Sequence, residues 1–157
     1  MTKESILILP DIRSSYNVGA LFRTADAAGI SKIYLVGITP SPIDRFGRLR
    51  SDIAKAALGA EKTVPWEHVE VIGTLITKLK KEGFQIIAIE QSNTATDYKK
   101  VKTSAKVAFV LGPEVTGLSS AILKKCDVVA EIPMRGGKES LNVSVAGGIA
   151  LFRMLGL

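Results

Sequence analysis

The sequence predicts an α/β protein in which helices cover both faces of a mainly parallel sheet. Apolar, β-prone runs alternate with segments of helical periodicity along the chain. The strand-like runs contain few polar residues, as expected of strands that are covered on both faces. At 157 residues the chain is long enough for one domain with a proper core and too short for two comfortable ones. We therefore expect a single domain over residues 1–157.

The individual elements follow from periodicity and from the residues that begin or end helices. Gly29, Gly59 and Gly83 each follow a helical pattern where glycine commonly ends a helix. Ser119 stands where a helix N-cap is expected. The predicted strands are 5–9, 32–36, 62–64, 85–89, 106–111 and 128–132, and the predicted helices are 18–28, 52–58, 69–82, 119–125 and 142–155.

Composition excludes several classes of protein. The chain is 46% hydrophobic and 23% charged, which is typical of a globular domain. No apolar run approaches the roughly 20 residues that span a bilayer, so we expect no membrane insertion. The first residues run straight into a strand pattern and lack the apolar region and cleavage site of a signal peptide. A cytoplasmic location is the resulting expectation.

The few cysteine and histidine residues argue against metal chemistry. Cys126 is the only cysteine and His68 the only histidine, so the sequence holds neither an internal disulfide nor a Cys/His zinc cluster. A Ser-His-Asp arrangement also lacks support, because no nucleophile-elbow pattern occurs. We expect His68 to be a partly exposed residue near a helix start, and we expect no metal ion.

The charge balance favours a polyanionic partner. The net charge is +6, from 21 Lys and Arg against 15 Asp and Glu. Arg45, Arg48 and Arg50 follow a proline-containing irregular segment with Phe46 between them. Guanidinium groups suit phosphates, so these three arginines are predicted to bind RNA. The lysines of residues 78–81 are interpreted as the solvated end of a helix.

Three polar, glycine-containing segments stand at junctions between a predicted strand and a predicted helix: residues 17–25, 111–119 and 132–144. In the third, Ser140, Asn142 and Ser144 offer hydroxyls and an amide beside two glycines that permit close backbone approach. Neither common nucleotide motif fits these segments. A P-loop needs Gly-Lys-Ser/Thr where this chain has Glu114 and Leu118, and no Gly-x-Gly-x-x-Gly turn follows the first strand.

Together the three segments resemble the SpoU (TrmH-like) family of RNA ribose 2′-O-methyltransferases in the SPOUT superfamily. The first family motif matches Asn17, Gly19, Arg23 and Thr24; the second matches Gly112 to Leu118; the third matches Ile132 to Ser144 without a gap. The resemblance spans essentially the whole chain. It implies that the C-terminal segment passes through a loop to form a trefoil knot, which the hydrophobic pattern alone does not indicate. It also implies S-adenosylmethionine as cofactor, RNA as substrate and a homodimer.

The resemblance assigns site residues one by one. The cofactor would lie among Ile89, Gly112, Ile132, Met134, Ser140 and Leu141. Arg23, Asn17, Glu114 and Asn142 would carry the methyl transfer. Because a guanidinium stays protonated in proteins, we interpret Arg23 as a phosphate anchor that stabilises developing negative charge. Asn17 and Asn142 would orient Arg23 and the ribose, and Glu114 would bind a partner's arginine or hold the loop.

The terminal helix, 143–155, is apolar nearly all round, so it is either buried in the core or packed against a partner, and the resemblance favours a homodimer. The sequence thus predicts an S-adenosylmethionine-dependent RNA 2′-O-methyltransferase acting on tRNA or rRNA. A noncatalytic RNA-binding relative and a small-molecule methyltransferase are the alternatives. Four questions stay open: the RNA, the nucleotide, the need for an accessory protein, and whether Arg23 acts within its own subunit or across the dimer.

Overall fold

The computed structural model describes residues 3–157, and within them the elements alternate as the sequence predicts. The strands are β1 (Glu4–Pro10), β2 (Lys32–Val36), β3 (Trp66–Val69), β4 (Gln85–Ile89), β5 (Thr96–Asp97), β6 (Lys106–Leu111) and β7 (Val128–Glu131). The helices are α1 (Ser15–Ala28), α2 (Ser51–Ala57), α3 (Ala60–Thr63), α4 (Ile72–Lys81), α5 (Ser120–Lys125) and α6 (Val143–Leu155). The strands form one sheet in the order β3-β2-β1-β6-β4-β7-β5, and every neighbouring pair is parallel.

Helices cover both faces of this sheet, and each face has its own core. Successive side chains of a strand point to opposite faces. Leu7 and Leu9 of β1 accordingly join the core formed with α1, α2, α3 and α6, whereas Ile6 and Ile8 join the core beneath α4 and α5. The predicted fold class is therefore confirmed. The trefoil knot stays a prediction.

Glycine in the first motif has a packing reason. A Cβ built on Gly19 would lie 2.5 Å from the carbonyl oxygen of Ile53 and 2.7 Å from Cβ of Ala56. Both atoms belong to α2, and the former is backbone that cannot turn aside. Only glycine at this position lets α1 lie so close to α2.

Two predicted elements differ from the structure, and three observed elements were not predicted: α3, β5 and a 3-10 turn. Residues 62–64 were expected to form a strand, but α3 ends there, with the Val64 amide donating to the Ala60 carbonyl. The strand lies further on, where Trp66–Val69 pairs with β2. The predicted helix 69–82 consequently begins only at Ile72. Strand β5 and the 3-10 turn Tyr98–Lys100 that follows it were not predicted, because two residues carry no measurable periodicity.

The terminal helix is buried on one side only. Gly147 packs so tightly that an added Cβ would lie 2.7 Å from Leu21 Cδ2. Val145, Ile149 and Phe152, at i, i+4 and i+7, form an exposed apolar stripe on the other side. Within residues 3–157, α6 and the other helices are too short or too polar to cross a membrane.

Candidate functional site

A cavity of about 340 Å³ lies where β4, β6 and β7 end. The carboxyl ends of parallel strands are a usual position for a ligand site in α/β proteins. The six residues predicted to bind the cofactor all line this cavity: Ile89, Gly112, Ile132, Met134, Ser140 and Leu141. The fold thus brings together residues that lie up to 52 positions apart in sequence (from 89 to 141). We call this space the edge cavity.

Glu90 and Gln91 also line the edge cavity, and the sequence did not single them out. The Leu118 amide donates to Glu90 Oε2 at 2.8 Å, so Glu90 holds the loop between β6 and α5. Gly117 adopts φ +65°, and a Cβ there would lie 2.7 Å from the same carboxylate. Gln91 Nε2 donates to the Ile132 carbonyl at 2.8 Å. The only sequence signal was their position directly after a buried strand.

The glycines of the third motif have a different status. Neither Gly136 nor Gly137 has a positive φ, and a Cβ on either would meet no atom within 4 Å. The packing of the described chain therefore does not require glycine at these positions. Gly112 contrasts with them, because its Cβ would lie 2.6 Å from Leu118 Cγ.

The edge cavity has an anionic lining. Glu90, Glu114 and Glu139 line it, and among residues 3–157 no lysine or arginine does. Carboxylates repel phosphate and attract cations. The charge therefore disfavours a nucleotide phosphate and suits a positively charged ligand.

One chain of hydrogen bonds joins the three motifs beside this cavity. Asn142 Nδ2 donates to Asn17 Oδ1 at 3.2 Å, and Asn17 Nδ2 donates to Glu114 Oε1 at 3.1 Å. Glu114 also accepts from the amides of Arg13 and Ser14, both at 3.4 Å. We call this set the motif network. Glu114 thus joins the second motif to the start of α1, a contact that was not predicted from the sequence.

The Glu114 carboxylate fixes the direction of the whole motif network. An ionised carboxylate only accepts, so Asn17 must turn its NH2 group toward it and its carbonyl toward Asn142. Asn142 then presents its NH2 group to Asn17 and keeps its own carbonyl for α6. That carbonyl accepts from Ser144 N at 2.9 Å and Ser144 Oγ at 2.6 Å, so Asn142 is the N-cap of α6.

The protonation state of Glu114 follows from its contacts. Partial burial by itself raises the pKa of this carboxyl, but hydrogen bonds from its own backbone, from Asn17 and from the amides of Ser14 and Arg13 outweigh that effect. The pKa of Glu114 is therefore lower than its ordinary value. The motif network is built on a charged Glu114 at neutral pH.

Arg23 lies apart from the motif network. It is exposed on the second half of α1, it does not line the edge cavity, and among residues 3–157 it makes no hydrogen bond or ion pair. Within one chain Asn17 and Asn142 contact each other and not Arg23, and the expectation that they orient it stays a prediction. Its neighbour Thr24 lies beside α6, where a Cβ on Gly148 would be 3.9 Å from Thr24 Cγ2.

The three arginines predicted to bind RNA have unequal surroundings. Arg50 Nη2 donates to Ser15 Oγ and to Asp52 Oδ2, both at 2.8 Å. Arg48 Nε donates to Asp44 Oδ2 at 3.0 Å. Arg45 has no carboxylate partner among the described residues.

His68 and Cys126 lie away from the edge cavity. His68 lies in β3 rather than near a helix start, and its Nε2 is 2.7 Å from the Gly37 carbonyl oxygen, so the prediction for its place in the fold was wrong. Within residues 3–157, no group of three or more His, Cys, Asp or Glu side chains is arranged to hold a metal ion. Cys126 is partly buried, and this burial raises the pKa of its thiol to about 11.

The fold and the motifs define a class of methyltransferase domain. Residues 4–152 match the model of the SpoU rRNA Methylase family, and the chain belongs to that family. A protein of Staphylococcus aureus (strain COL) named as a TrmH family tRNA/rRNA methyltransferase is 35% identical over 150 residues, which are 96% of this chain and 58% of that protein. A similar relative from Staphylococcus epidermidis is 34% identical over 150 residues, which are 96% of this chain and 57% of the relative.

Solved structures agree with this assignment. An AdoMet-bound rRNA methyltransferase from Sinorhizobium meliloti superposes with a TM-score of 0.88 at 30% identity, covering 98% of this chain and 56% of that one. A TrmH/SpoU tRNA modifying enzyme of A. aeolicus gives 0.85 at 28% identity, covering 98% and 75%. The chain spans about 58% of the length of the curated Staphylococcus aureus relative.

Proposed function

We propose that this protein is an S-adenosylmethionine-dependent RNA methyltransferase that transfers a methyl group to a ribose 2′-hydroxyl of tRNA or rRNA. The observation that carries the proposal is the edge cavity at the carboxyl ends of three strands. Glutamates line this cavity, and most of its lining residues come from the second and third motifs. The motif network joins these two motifs to the first. The names of the relatives support RNA as the substrate. Family membership supports the reaction class.

The residues of the edge cavity fit S-adenosylmethionine. Ile89, Ile132, Met134 and Leu141 provide apolar contact for an adenine ring, and the neighbouring backbone provides donors and acceptors. The glutamates suit the positive sulfonium, and the ligand has no phosphate to be repelled. A neutral or cationic adenosine derivative is therefore a better match than a nucleotide phosphate.

Bound S-adenosylmethionine supplies a methyl group on a cationic sulfur. Transfer to a ribose 2′-oxygen would form one O–C bond and break one S–C bond, releasing the neutral thioether S-adenosylhomocysteine, and the hydroxyl proton would pass to water. This chain must hold the hydroxyl in line with that bond and stabilise the charge that develops on oxygen. Asn142 stands between Leu141 and Val143, which line the edge cavity, and its amide has a fixed orientation, so we assign it to position the ribose. Glu114 fixes that orientation through Asn17.

We assign Arg23 to the charge that develops on the acceptor, acting across a homodimer. The exposed stripe of Val145, Ile149 and Phe152 on α6 needs a cover, and a second copy of the chain provides one. Arg23 projects from α1, which packs beside α6, and it has no partner among the described residues of its own chain. We therefore assign Arg23 to the edge cavity of the other subunit in a dimer built on this face.

Methyl incorporation from labelled S-adenosylmethionine into total RNA tests the activity. Digestion to nucleosides followed by mass spectrometry then shows whether the label is on ribose or base. Leu141→Arg should abolish incorporation by filling the edge cavity, whereas Leu58→Arg, at an exposed position outside it, should not. Label on a base would contradict ribose specificity, and cofactor binding without RNA labelling would favour a noncatalytic relative.

A mixing experiment tests the position of Arg23. Arg23→Ala and Leu141→Arg chains with different tags are coexpressed, and the mixed dimer is isolated by both tags. If Arg23 acts across the dimer, one site in the mixed dimer combines an intact cavity with an intact arginine, and activity returns. If the mixed dimer stays as inactive as its parents, Arg23 acts within its own subunit. A protein that sediments as a monomer at working concentration would contradict the dimer itself.

A further inference from the structure

An exposed aromatic residue stands on a loop at the same edge of the sheet as the edge cavity. The Phe46 loop, residues 43–49, follows β2 and is closed by an antiparallel bridge between Ile43 and Leu49. Phe46 at its tip is 67% exposed. The guanidinium carbons of Arg45 and Arg48 lie 4.8 and 5.0 Å from the centre of its ring. Core packing therefore does not account for this phenyl group.

The Phe46 loop is held firmly although it is exposed. Asp44 Oδ1 accepts from the amides of Phe46 at 2.8 Å and Arg48 at 3.0 Å, and Asp44 Oδ2 accepts from Arg48 Nε at 3.0 Å. The Arg50 amide donates to the Pro42 carbonyl at 2.9 Å. Hence the loop backbone and the Arg48 guanidinium are held in place before any ligand binds, which lowers the entropic cost of binding.

Arg50 connects the segment that follows the Phe46 loop to the start of α1. Its side chain donates to Ser15 Oγ at 2.8 Å, two residues before Asn17 of the motif network. It also forms a two-bond ion pair with Asp52, in which Nε donates to Oδ1 at 3.1 Å and Nη2 donates to Oδ2 at 2.8 Å. Arg50 therefore links the Phe46 loop to the start of α1, and its predicted contact with RNA stays a prediction.

We infer that the Phe46 loop is a stacking platform for an unpaired RNA base, placed at a fixed distance from the nucleotide being methylated. Aromatic rings flanked by arginine are suited to bases, because every base has a flat π face and each nucleotide carries a phosphate. The base lies on the ring or on a guanidinium stacked against it, and Arg45 contacts the neighbouring phosphate. The platform would select single-stranded or looped RNA over a duplex. This inference rests on the proposed RNA methyltransferase function.

Fluorescence anisotropy with the full chain tests the platform, using one labelled RNA oligonucleotide either single-stranded or annealed to its complement. Phe46→Ala should weaken single-strand binding by about 10-fold or more, the usual scale for losing one base–aromatic stack. Binding of the duplex should change by less than about 2-fold. Phe46→Trp should keep the wild-type affinity, and Phe46→Leu should not restore it. Each variant should bind S-adenosylmethionine as the wild type does, since Phe46 does not line the edge cavity.

Leu49→Ala is the matched control, because Leu49 is 74% exposed on the same loop and is not aromatic. If Leu49→Ala weakens binding as much as Phe46→Ala does, or if Phe46→Leu binds normally, the loop is an apolar docking surface and the inference fails. A wild-type protein that methylates RNA while Phe46→Ala binds single strands normally would overturn the platform and leave the proposed function intact. A wild-type protein that binds neither RNA would contradict the proposed function first.

Discussion

Asn142 performs two separable tasks, and two substitutions distinguish them. Its carbonyl caps α6, and its NH2 group binds Asn17 Oδ1 in the motif network. Serine is also a good N-cap but is too short to reach Asn17 in the same way, so Asn142→Ser should keep the cap and lose the network contact. Asn142→Ala should lose both.

The magnitudes follow from the burial of the partner. Asn17 is 5% exposed, and Glu114 prevents it from turning its amide, so Asn142→Ser leaves a buried acceptor unpaired. That change costs about 1–2 kcal/mol, at the lower end for a buried group because Asn142 itself is exposed. Loss of the cap in Asn142→Ala adds about 1 kcal/mol. For a domain of this size we expect Tm to fall by about 3–6 °C in Asn142→Ser and by a few degrees more in Asn142→Ala.

Urea unfolding at one fixed protein concentration measures both changes, with constant m-values as the check that the same transition is followed. A double-mutant cycle with Asn17→Ala isolates the contact, because Asn142→Ser should have little effect once Asn17 is absent. If Asn142→Ser, with Asn17 intact, is as stable as the wild type, the contact between Asn142 and Asn17 does not stabilise the fold. Equal destabilisation by Asn142→Ser and Asn142→Ala would show that the cap contributes nothing.

Gly19→Ala should destabilise the protein by about 1–3 kcal/mol despite the helix preference for alanine, because the added Cβ overlaps the backbone of α2. Gly73→Ala is the control and should be neutral or stabilising, because its Cβ meets only the end of Lys125 at 3.7 Å. Urea unfolding midpoints measure both effects, and two equal effects would contradict the packing argument. Arg23→Ala should lower single-turnover methyl transfer by about a hundredfold while cofactor binding, measured by calorimetry, is kept, and Arg23→Lys should recover little. Because the pKa of Glu114 is lower in the folded state, ionised Glu114 stabilises the protein above pH 4.5, the ordinary pKa of a glutamate, and this stabilisation is lost as pH falls through the folded-state pKa. In thermal melts, Glu114→Gln should therefore lose less stability on acidification than the wild type does. With a thiol pKa raised to about 11, Cys126 should react with iodoacetamide at pH 8 at least about tenfold more slowly than free cysteine, and alkylation at the free-cysteine rate would show that the site opens readily.

Local pattern was enough to predict most of the fold. The strands of the centre of the sheet are continuous apolar runs, and Gly29, Gly83 and Ser119 mark helix ends as a left-handed turn or a capping hydroxyl requires. The errors fell at the sheet edges. Strand β3 contains Glu67 and His68 and is only half-buried, so its periodicity is weak, and pairing with β2 decides its conformation. The six residues predicted to bind the cofactor line one cavity because the segments that carry them follow neighbouring parallel strands.

By itself the sequence determined the α/β class and the three motifs, since hydrophobic period and residue type are local properties. The structure places two motifs after strand ends and the first, residues 17–25, inside α1. Tertiary structure decided what those residues touch. Asn17, Glu114 and Asn142 form one network with a fixed direction, Arg23 lies outside it, and Arg50 is hydrogen-bonded to Ser15 and Asp52. These contacts join side chains up to 125 positions apart in sequence. The packing of the folded chain determines which distant side chains form hydrogen bonds, and no local sequence pattern encodes it.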